Sequence, residues 1–170
     1  MVARGKYSAN GNITYFPTAT NMLKLIWDSN LADGASSYAH TCPRKHSKGD
    51  YGENIIILTN TEHLSQIDIG REASYKWFNE FQEKQWKSKK MNFRSEKHQR
   101  DFGHATQMIW QSTRVVGCGF EKCNGTTYAL VCRYKPRGNM EKGSIYEIGT
   151  TCTQCPEGTY CESGLCTPND

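Results

Sequence analysis

The chain has 170 residues, which suits one domain with a small appendage. Its formal net charge of +4 is mildly basic and gives no reason to expect nucleic-acid binding. Eight cysteines indicate an oxidising compartment, and no apolar run approaches the length of a transmembrane segment.

Residues 1–18 are polar and contain Gly, Asn and Pro, which predicts a loop. They include a glycosylation sequon at Asn12, and a second sequon lies at Asn124; both agree with secretion. The start of the chain lacks the apolar stretch of a secretory signal peptide. We therefore expect either a mature form or a chain that has lost an N-terminal segment.

A pair of helices is predicted next. Apolar residues recur at about helical spacing from Asn21. Asp28-Ser29-Asn30 interrupts the pattern and is placed to cap a second helix beginning at Leu31. Cys42-Pro43 ends that helix.

A strand and a long helix follow. GENIIILT, residues 52–59, is rich in β-branched residues, which predicts a strand. Thr61 is placed to cap a helix that continues to about Gln85. On this helix Trp77 belongs to the apolar stripe, and Glu80 lies at its edge.

Residues 84–100 contain seven Lys or Arg and one acidic residue. Such a run is most simply a solvated loop. The alternative is a surface that binds acidic partners.

VVGCGF and TYALVCRY are strand-like runs on either side of Asn124-Gly125, which is a strong hairpin signal. Cys118 and Cys132 are nearly equidistant from that turn, so antiparallel pairing brings them within reach of a disulfide. Four cysteines then fall within fifteen residues near the C-terminus: Cys152, Cys155, Cys161 and Cys166. They predict a small disulfide knot, since their spacing fits a zinc ribbon poorly.

These motifs together resemble one family. GHATQMIWQSTRVVGCG (residues 103–119) resembles the signature of the CAP superfamily, which includes cysteine-rich secretory proteins, antigen 5 and class 1 pathogenesis-related proteins. YGENI, YKWFNE and CRYKPRGNM match further family motifs in order. The cysteine-rich tail resembles the hinge of nematode activation-associated or venom-allergen-like secreted proteins. The sequence departs from the family in three ways: Ala105 stands where the family has tyrosine, the family's first helix is lacking, and the signal peptide is lacking.

The resemblance implies an α+β fold, a three-layer α–β–α sandwich with a central antiparallel sheet. This domain would span residues 1–148, and residues 149–170 would form a cysteine-rich hinge. The implied disulfides are Cys42–Cys123, Cys118–Cys132, Cys152–Cys161 and Cys155–Cys166. If the first helix is absent, we expect an open groove and an exposed apolar face on the Trp77 helix.

The resemblance also implies a cleft with two histidines and two glutamates: His46, Glu53, Glu80 and His104. Three interpretations of this tetrad stay open. It is a structural hydrogen-bonded network, a divalent-metal site for zinc without catalysis, or the centre of a metal-dependent hydrolase. The hydrolase is disfavoured, because neither Ser47 nor Thr106 is clearly placed as a nucleophile.

The function implied is that of a secreted, extracellular protein without enzymatic activity or a required cofactor. It would bind a sterol or fatty acid, or a partner protein, and act on host or neighbouring cells. The basic run 84–100 would dock a host protein or a glycosaminoglycan. The alternative is a zinc site with hydrolase activity that uses the tetrad.

Overall fold

The computed structural model describes residues 2–9, 15–88, 90–93 and 101–169. After a short 3-10 turn at Val2–Arg4, the helices and strands follow in the order β1 (Ile26–Trp27), α1 (Ser29–Ala39), β2 (Gly52–Leu58), α2 (Gln66–Glu83), α3 (Gly103–Met108), β3 (Val115–Asn124), β4 (Thr127–Lys135), β5 (Thr159–Glu162) and β6 (Leu165–Pro168). The predicted sequon at Asn12 and residues 89 and 94–100 of the basic run lie outside the described residues.

Four strands form the main sheet, in the order β1-β3-β4-β2. Strands β2, β4 and β3 are antiparallel, and the short β1 adds to β3 in parallel. Helix α1 packs on β3 and β4, whereas α2 and α3 pack on the other side of the sheet, against β2 and β4. The prediction of an α–β–α sandwich is confirmed.

Close approach of α1 to the sheet depends on two glycines of β3. A Cβ atom at Gly117 would lie 2.2 Å from the backbone nitrogen of Ala32, and one at Gly119 would lie 2.3 Å from Ser36. Ala35 and Ala39 fill the remaining space and are fully buried. Small residues on both surfaces therefore set the helix–sheet distance.

The prediction of a helix starting at Asn21 is wrong. Ile26 donates its backbone N–H to Arg114 and Asp28 donates to Val116, so this segment becomes strand β1. Asp28 then caps α1, because its Oδ1 accepts the N–H of Leu31 at 2.8 Å. Pairing with a distant strand overrides the local helical periodicity.

Helix α2 begins later than predicted. Its cap is Ser65 rather than Thr61, whose hydroxyl donates to the carbonyl of Thr126 and ties this loop to the β3–β4 turn. The helix ends at Glu83, two residues before the predicted end at Gln85.

The prediction of an exposed apolar face on α2 is also wrong. Trp77 is 2% exposed and packs with Leu58 and Leu130 beneath the sheet. Phe81 is fully buried, and its ring lies 4.9 Å from that of Phe16 in the N-terminal segment. That segment covers the helix face, which the helical pattern alone did not reveal.

All eight cysteines are paired in the structure, in the same four pairs that the resemblance implies. The sulfurs of Cys152, Cys155 and Cys166 lie together, but each is in a disulfide and has no thiolate to offer a metal. Two backbone hydrogen bonds hold Cys166 against the N-terminal segment. Lys24 donates its N–H to the carbonyl of Cys166, and Cys166 donates its N–H to the carbonyl of Met22. Across the described ranges, no helix has the length and apolarity to cross a membrane.

Candidate functional site

The first half of the site joins α2 to α3 through Glu80. Its Oε2 accepts the backbone N–H groups of His104 and Ala105, each at 3.1 Å, and its Oε1 accepts Nδ1 of His104 at 2.7 Å. Phe102, at the start of α3, provides no side-chain cap. Glu80 therefore caps α3 from a neighbouring helix and fixes the His104 ring at the same time.

The backbone around His104 is held from two further sides. Asn54 of β2 donates its side-chain amide to the carbonyl of His104 at 3.2 Å. Asn139 donates to the carbonyl of Gly103 at 2.7 Å. The first turn of α3 is thus fixed by a helix, a strand and a loop.

The second half of the site centres on Glu53 of β2. Its carboxylate accepts the backbone N–H of Ser47 at 2.9 Å, the Ser47 hydroxyl at 2.6 Å and Nε of Arg133 at 3.2 Å. Nδ1 of His46 is a longer contact at 3.3 Å. Burial alone would raise the pKa of Glu53, but the hydrogen bonds from Ser47, Arg133 and His46 outweigh it and hold that pKa below its ordinary value.

Arg133 is a residue of this site that the sequence did not predict. It lies directly across the ladder from Glu53. Its guanidinium lies over the ring of Tyr51, 4.3 Å from the ring centre, and Nη2 donates to Ser47. Gly34 of α1 leaves the space, since a Cβ atom there would lie 2.6 Å from Nη1. A basic residue inside the apolar run TYALVCRY was the available signal.

Both imidazoles line one cleft of about 360 Å³, which we call the His–Glu cleft. Its lining residues are Pro43, Arg44, Lys45, His46, Ile55, Ile56, Ile57 and His104. The two glutamates lie behind the histidines. Among the described residues, no three potential ligand atoms of the tetrad come within 4.8 Å of one another. The structure therefore brings the tetrad together as two separate pairs.

Neither hydroxyl beside the histidines is placed as a nucleophile. Ser47 donates to Glu53 and lies 2.8 Å from the hydroxyl of Tyr51. Thr106 is fully buried and donates to the carbonyl of Phe102. Within the described ranges neither is hydrogen-bonded to an imidazole, so the arrangement lacks the nucleophile–base contact of covalent catalysis.

A second concave region is lined by a different set of residues, and we call it the apolar groove. It lies between the N-terminal turn, α2, the end of α3 and the tail, with a volume of about 360 Å³. Its lining residues are Val2, Ala3, Met22, Leu23, Leu25, Phe78, Met108, Ile109, Trp110, Ser163 and Leu165. Only Ser163 among them is polar, and the groove shares no lining residue with the His–Glu cleft.

The remaining predicted sites lie at the surface. Asn124 is exposed at the end of β3, next to the turn. In the basic run, Lys84 bonds to Glu80 and to the carbonyl of Asp101, and Trp86 is buried. Residues 89 and 94–100 are outside the described ranges, so a docking surface there stays a prediction.

Comparison with known proteins gives a consistent family. The sequence model of the CAP, or cysteine-rich secretory protein, family matches residues 3–134. Peptidase inhibitor 16 of Mus musculus is 32% identical over 161 residues, which are 89% of this chain and 30% of that protein. Ancylostoma secreted protein of Ancylostoma caninum is 32% identical over 88% of this chain and 37% of its own length. The chain thus spans about a third of the length of these curated relatives.

Solved structures agree closely with the fold. The crystal structure of NaASP2 with Zn2+ superposes with a TM-score of 0.86 at 33% identity, covering 97% of this chain and 86% of that one. The structure of BmVAL-1 gives a TM-score of 0.84 at 31% identity, covering 99% and 87%.

Proposed function

Because this chain belongs to the CAP family of cysteine-rich secretory proteins, we propose that it is an extracellular, non-enzymatic protein that binds a lipid. The site is the apolar groove, and the ligand is a fatty acid or a sterol. The observation that carries the proposal is the composition of the groove, in which every lining residue except Ser163 is apolar. Four disulfides support secretion.

The size of the groove fits this class of ligand. Small-molecule sites commonly enclose about 300–1,000 Å³, and the groove holds about 360 Å³. Phe78 and Trp110 provide flat apolar surface at its walls. Each methylene that moves from water into such a site contributes about 0.8 kcal/mol, so affinity is expected to rise with chain length.

The test is a titration with a dansyl-labelled fatty acid, followed by displacement with unlabelled oleate or cholesterol. We expect saturable binding that weakens roughly tenfold when the acyl chain loses two methylenes. Leu23→Glu places a charge in the groove at a partly exposed position and is expected to abolish binding. The displacing lipid identifies the ligand class.

Ile67→Glu is the matched control, because Ile67 is apolar, 70% exposed and outside the groove. This variant is expected to bind like the wild type. No saturable binding, or equal losses in the two variants, would refute the proposal.

The His–Glu cleft favours a second function, the binding of a divalent cation such as zinc. Each imidazole places Nδ1 on its own carboxylate, so Nε2 of His46 and of His104 is the ring nitrogen left to bind a cation. A carboxylate behind the ring is the usual support of a zinc-binding histidine. The crystal structure of NaASP2, 33% identical to this chain, is one with Zn2+.

The donor set fits zinc only in part. Two imidazoles supply two ligands, while Glu53 and Glu80 are already occupied by N–H and O–H donors. A bound zinc would supply Lewis-acid chemistry, on which the alternative of a metal-dependent hydrolase rests. The residues themselves orient the imidazoles and provide no nucleophile.

Calorimetric titration with zinc tests this second function. We expect His46→Ala to abolish binding and His63→Ala to leave it unchanged, since His63 is exposed and outside the cleft. Binding is expected to weaken in mild acid, because a zinc ligand must be a neutral imidazole. Equal zinc affinity in the wild type and His46→Ala would rule out this site.

A further inference from the structure

Strand β2 forms one end of the main sheet. It pairs with β4 along all seven residues, from Gly52 to Leu58. In the described part of the chain, no strand pairs with its other side. A free edge of this length is a template for an added strand.

The outward-facing backbone groups of β2 follow from the sheet register. Cys118 and Cys132 face each other on β3 and β4 with a Cα–Cα distance of 4.0 Å, which marks a non-hydrogen-bonded pair. Cys132 therefore directs its N–H and carbonyl towards Asn54 of β2. By alternation, the backbone groups of Glu53, Ile55 and Ile57 point away from β4, to the free edge.

This edge opens onto the His–Glu cleft. Ile55, Ile56 and Ile57 are all partly exposed and line it. His104 lies at the cleft as well, and the segment Pro43–His46 forms a further part of its lining. An added strand would lie about 4.8 Å from β2, on the side where Ile55 and Ile57 line the cleft.

The charged side chains at the cleft indicate which kind of peptide would bind there. Arg44 and Lys45 are exposed, and neither forms an ion pair in the described ranges. Glu53, which contacts His46 beside them, is paired with Arg133. Arg44 and Lys45 therefore contribute positive charge to this part of the rim.

From the free edge, the isoleucines and the basic rim, we propose that β2 binds an extended acidic peptide segment of a partner protein by β-strand addition. The backbone of Ile55 and Ile57 supplies the hydrogen bonds, and Arg44 and Lys45 supply the preference for acidic residues. This interaction needs neither a lipid nor a metal.

The test is fluorescence anisotropy with a labelled peptide of alternating Glu and Val, in buffer with EDTA. A second peptide replaces Glu by Lys. Two further peptides carry N-methyl groups on every second residue. The first is methylated at the odd positions and the second at the even positions, so each peptide lacks the backbone N–H donors of one edge. We expect the acidic peptide to bind, the basic one not to bind, and one N-methylated register to lose affinity much more than the other.

Two protein variants sharpen the result. Ile57→Pro removes an outward N–H without removing a bond to β4, and is expected to weaken binding about tenfold. Arg44→Glu with Lys45→Glu is expected to weaken it by a similar factor, chiefly at low salt. The matched control is Lys122→Glu with Lys142→Glu, which makes the same change in net charge at exposed residues outside the cleft.

Three results would overturn the proposal. One is equal binding of both N-methylated registers together with unchanged binding to Ile57→Pro. Another is an acidic peptide that binds only when zinc is added, which would assign the contact to the metal. The third is a dimer of the free protein that Ile57→Pro dissociates, since the edge would then belong to a second copy of this chain.

Discussion

The apolar groove and the His–Glu cleft take residues from opposite ends of one short helix. His104 lies near the start of α3 and points to the cleft, whereas Met108 ends α3 and lines the groove. The groove offers apolar surface with one polar residue, and the cleft offers two oriented imidazoles and a basic rim. The same helix thus contributes to both proposed sites, so a change in α3 itself is expected to affect both.

Glu80→Ala is expected to have the largest effect, because it removes the cap of α3. It leaves the N–H groups of His104 and Ala105 without their acceptor in a buried environment. We expect the free energy of unfolding to fall by about 3 kcal/mol and both lipid and zinc binding to weaken. Urea denaturation and the two titrations measure these effects.

The control for this change is Glu83→Ala at the end of the same helix. Glu83 is exposed, and its carboxylate accepts a hydrogen bond from the side-chain amide of Asn79, one turn earlier in the same helix. Its loss is expected to change stability by less than about 0.5 kcal/mol. If Glu80→Ala is equally mild, α3 is not held by this carboxylate.

Arg133→Met is expected to affect the His–Glu cleft without affecting the apolar groove. It removes the guanidinium that bonds to the buried carboxylate of Glu53, at a cost of about 2 kcal/mol in stability. Zinc binding is expected to weaken because His46 loses its fixed partner, while fatty-acid affinity stays unchanged. Arg137→Met, at an exposed residue, is the control. A loss of fatty-acid binding in Arg133→Met would mean that the regions are coupled.

Low pH is expected to remove the stability that the ionised Glu53 side chain contributes to the folded protein. The pKa of Glu53 in the folded protein lies below its ordinary value of 4.5. The stability that this ionised group contributes is therefore fully present above about pH 4.5 and is lost as the pH falls through the folded-state pKa. The difference in unfolding free energy between wild type and Glu53→Gln is expected to shrink below pH 4.5. A constant difference across this window would contradict the assignment.

His46→Ala is expected to have the smallest effect on stability. The His46 side chain is 62% exposed, and its contact with Glu53 is 3.3 Å long. The free energy of unfolding is expected to change by less than about 0.5 kcal/mol, even though zinc binding is lost. A larger destabilisation in thermal melts would make His46 a structural residue rather than a ligand.

Local sequence patterns predicted the elements that depend on local chemistry. The β-branched run at 52–59 became β2, and Asn124-Gly125 became the turn of the β3–β4 hairpin. Asp28 caps a helix as expected. The failed helix at Asn21 shows the limit, since its backbone bonds to residues nearly ninety positions away, at Arg114 and Val116.

The candidate site was harder to predict from the sequence than these local elements. The four tetrad residues came from the family resemblance, but their division into two pairs depends on how α2, α3 and β2 pack. Arg133 lies 80 residues from Glu53, and only the sheet register places them opposite each other. The apolar groove combines residues from the two ends of the chain, which no local pattern records.

One crossed titration tests whether the proposed lipid site in the groove and the proposed cation site in the cleft are independent. Leu23→Glu and His46→Ala are each titrated with the dansyl-labelled fatty acid and with zinc, alongside the wild type. We expect Leu23→Glu to lose the fatty acid and keep zinc, and His46→Ala to lose zinc and keep the fatty acid. Loss of both ligands in either variant, with an unfolding curve that matches the wild type, would contradict independent sites.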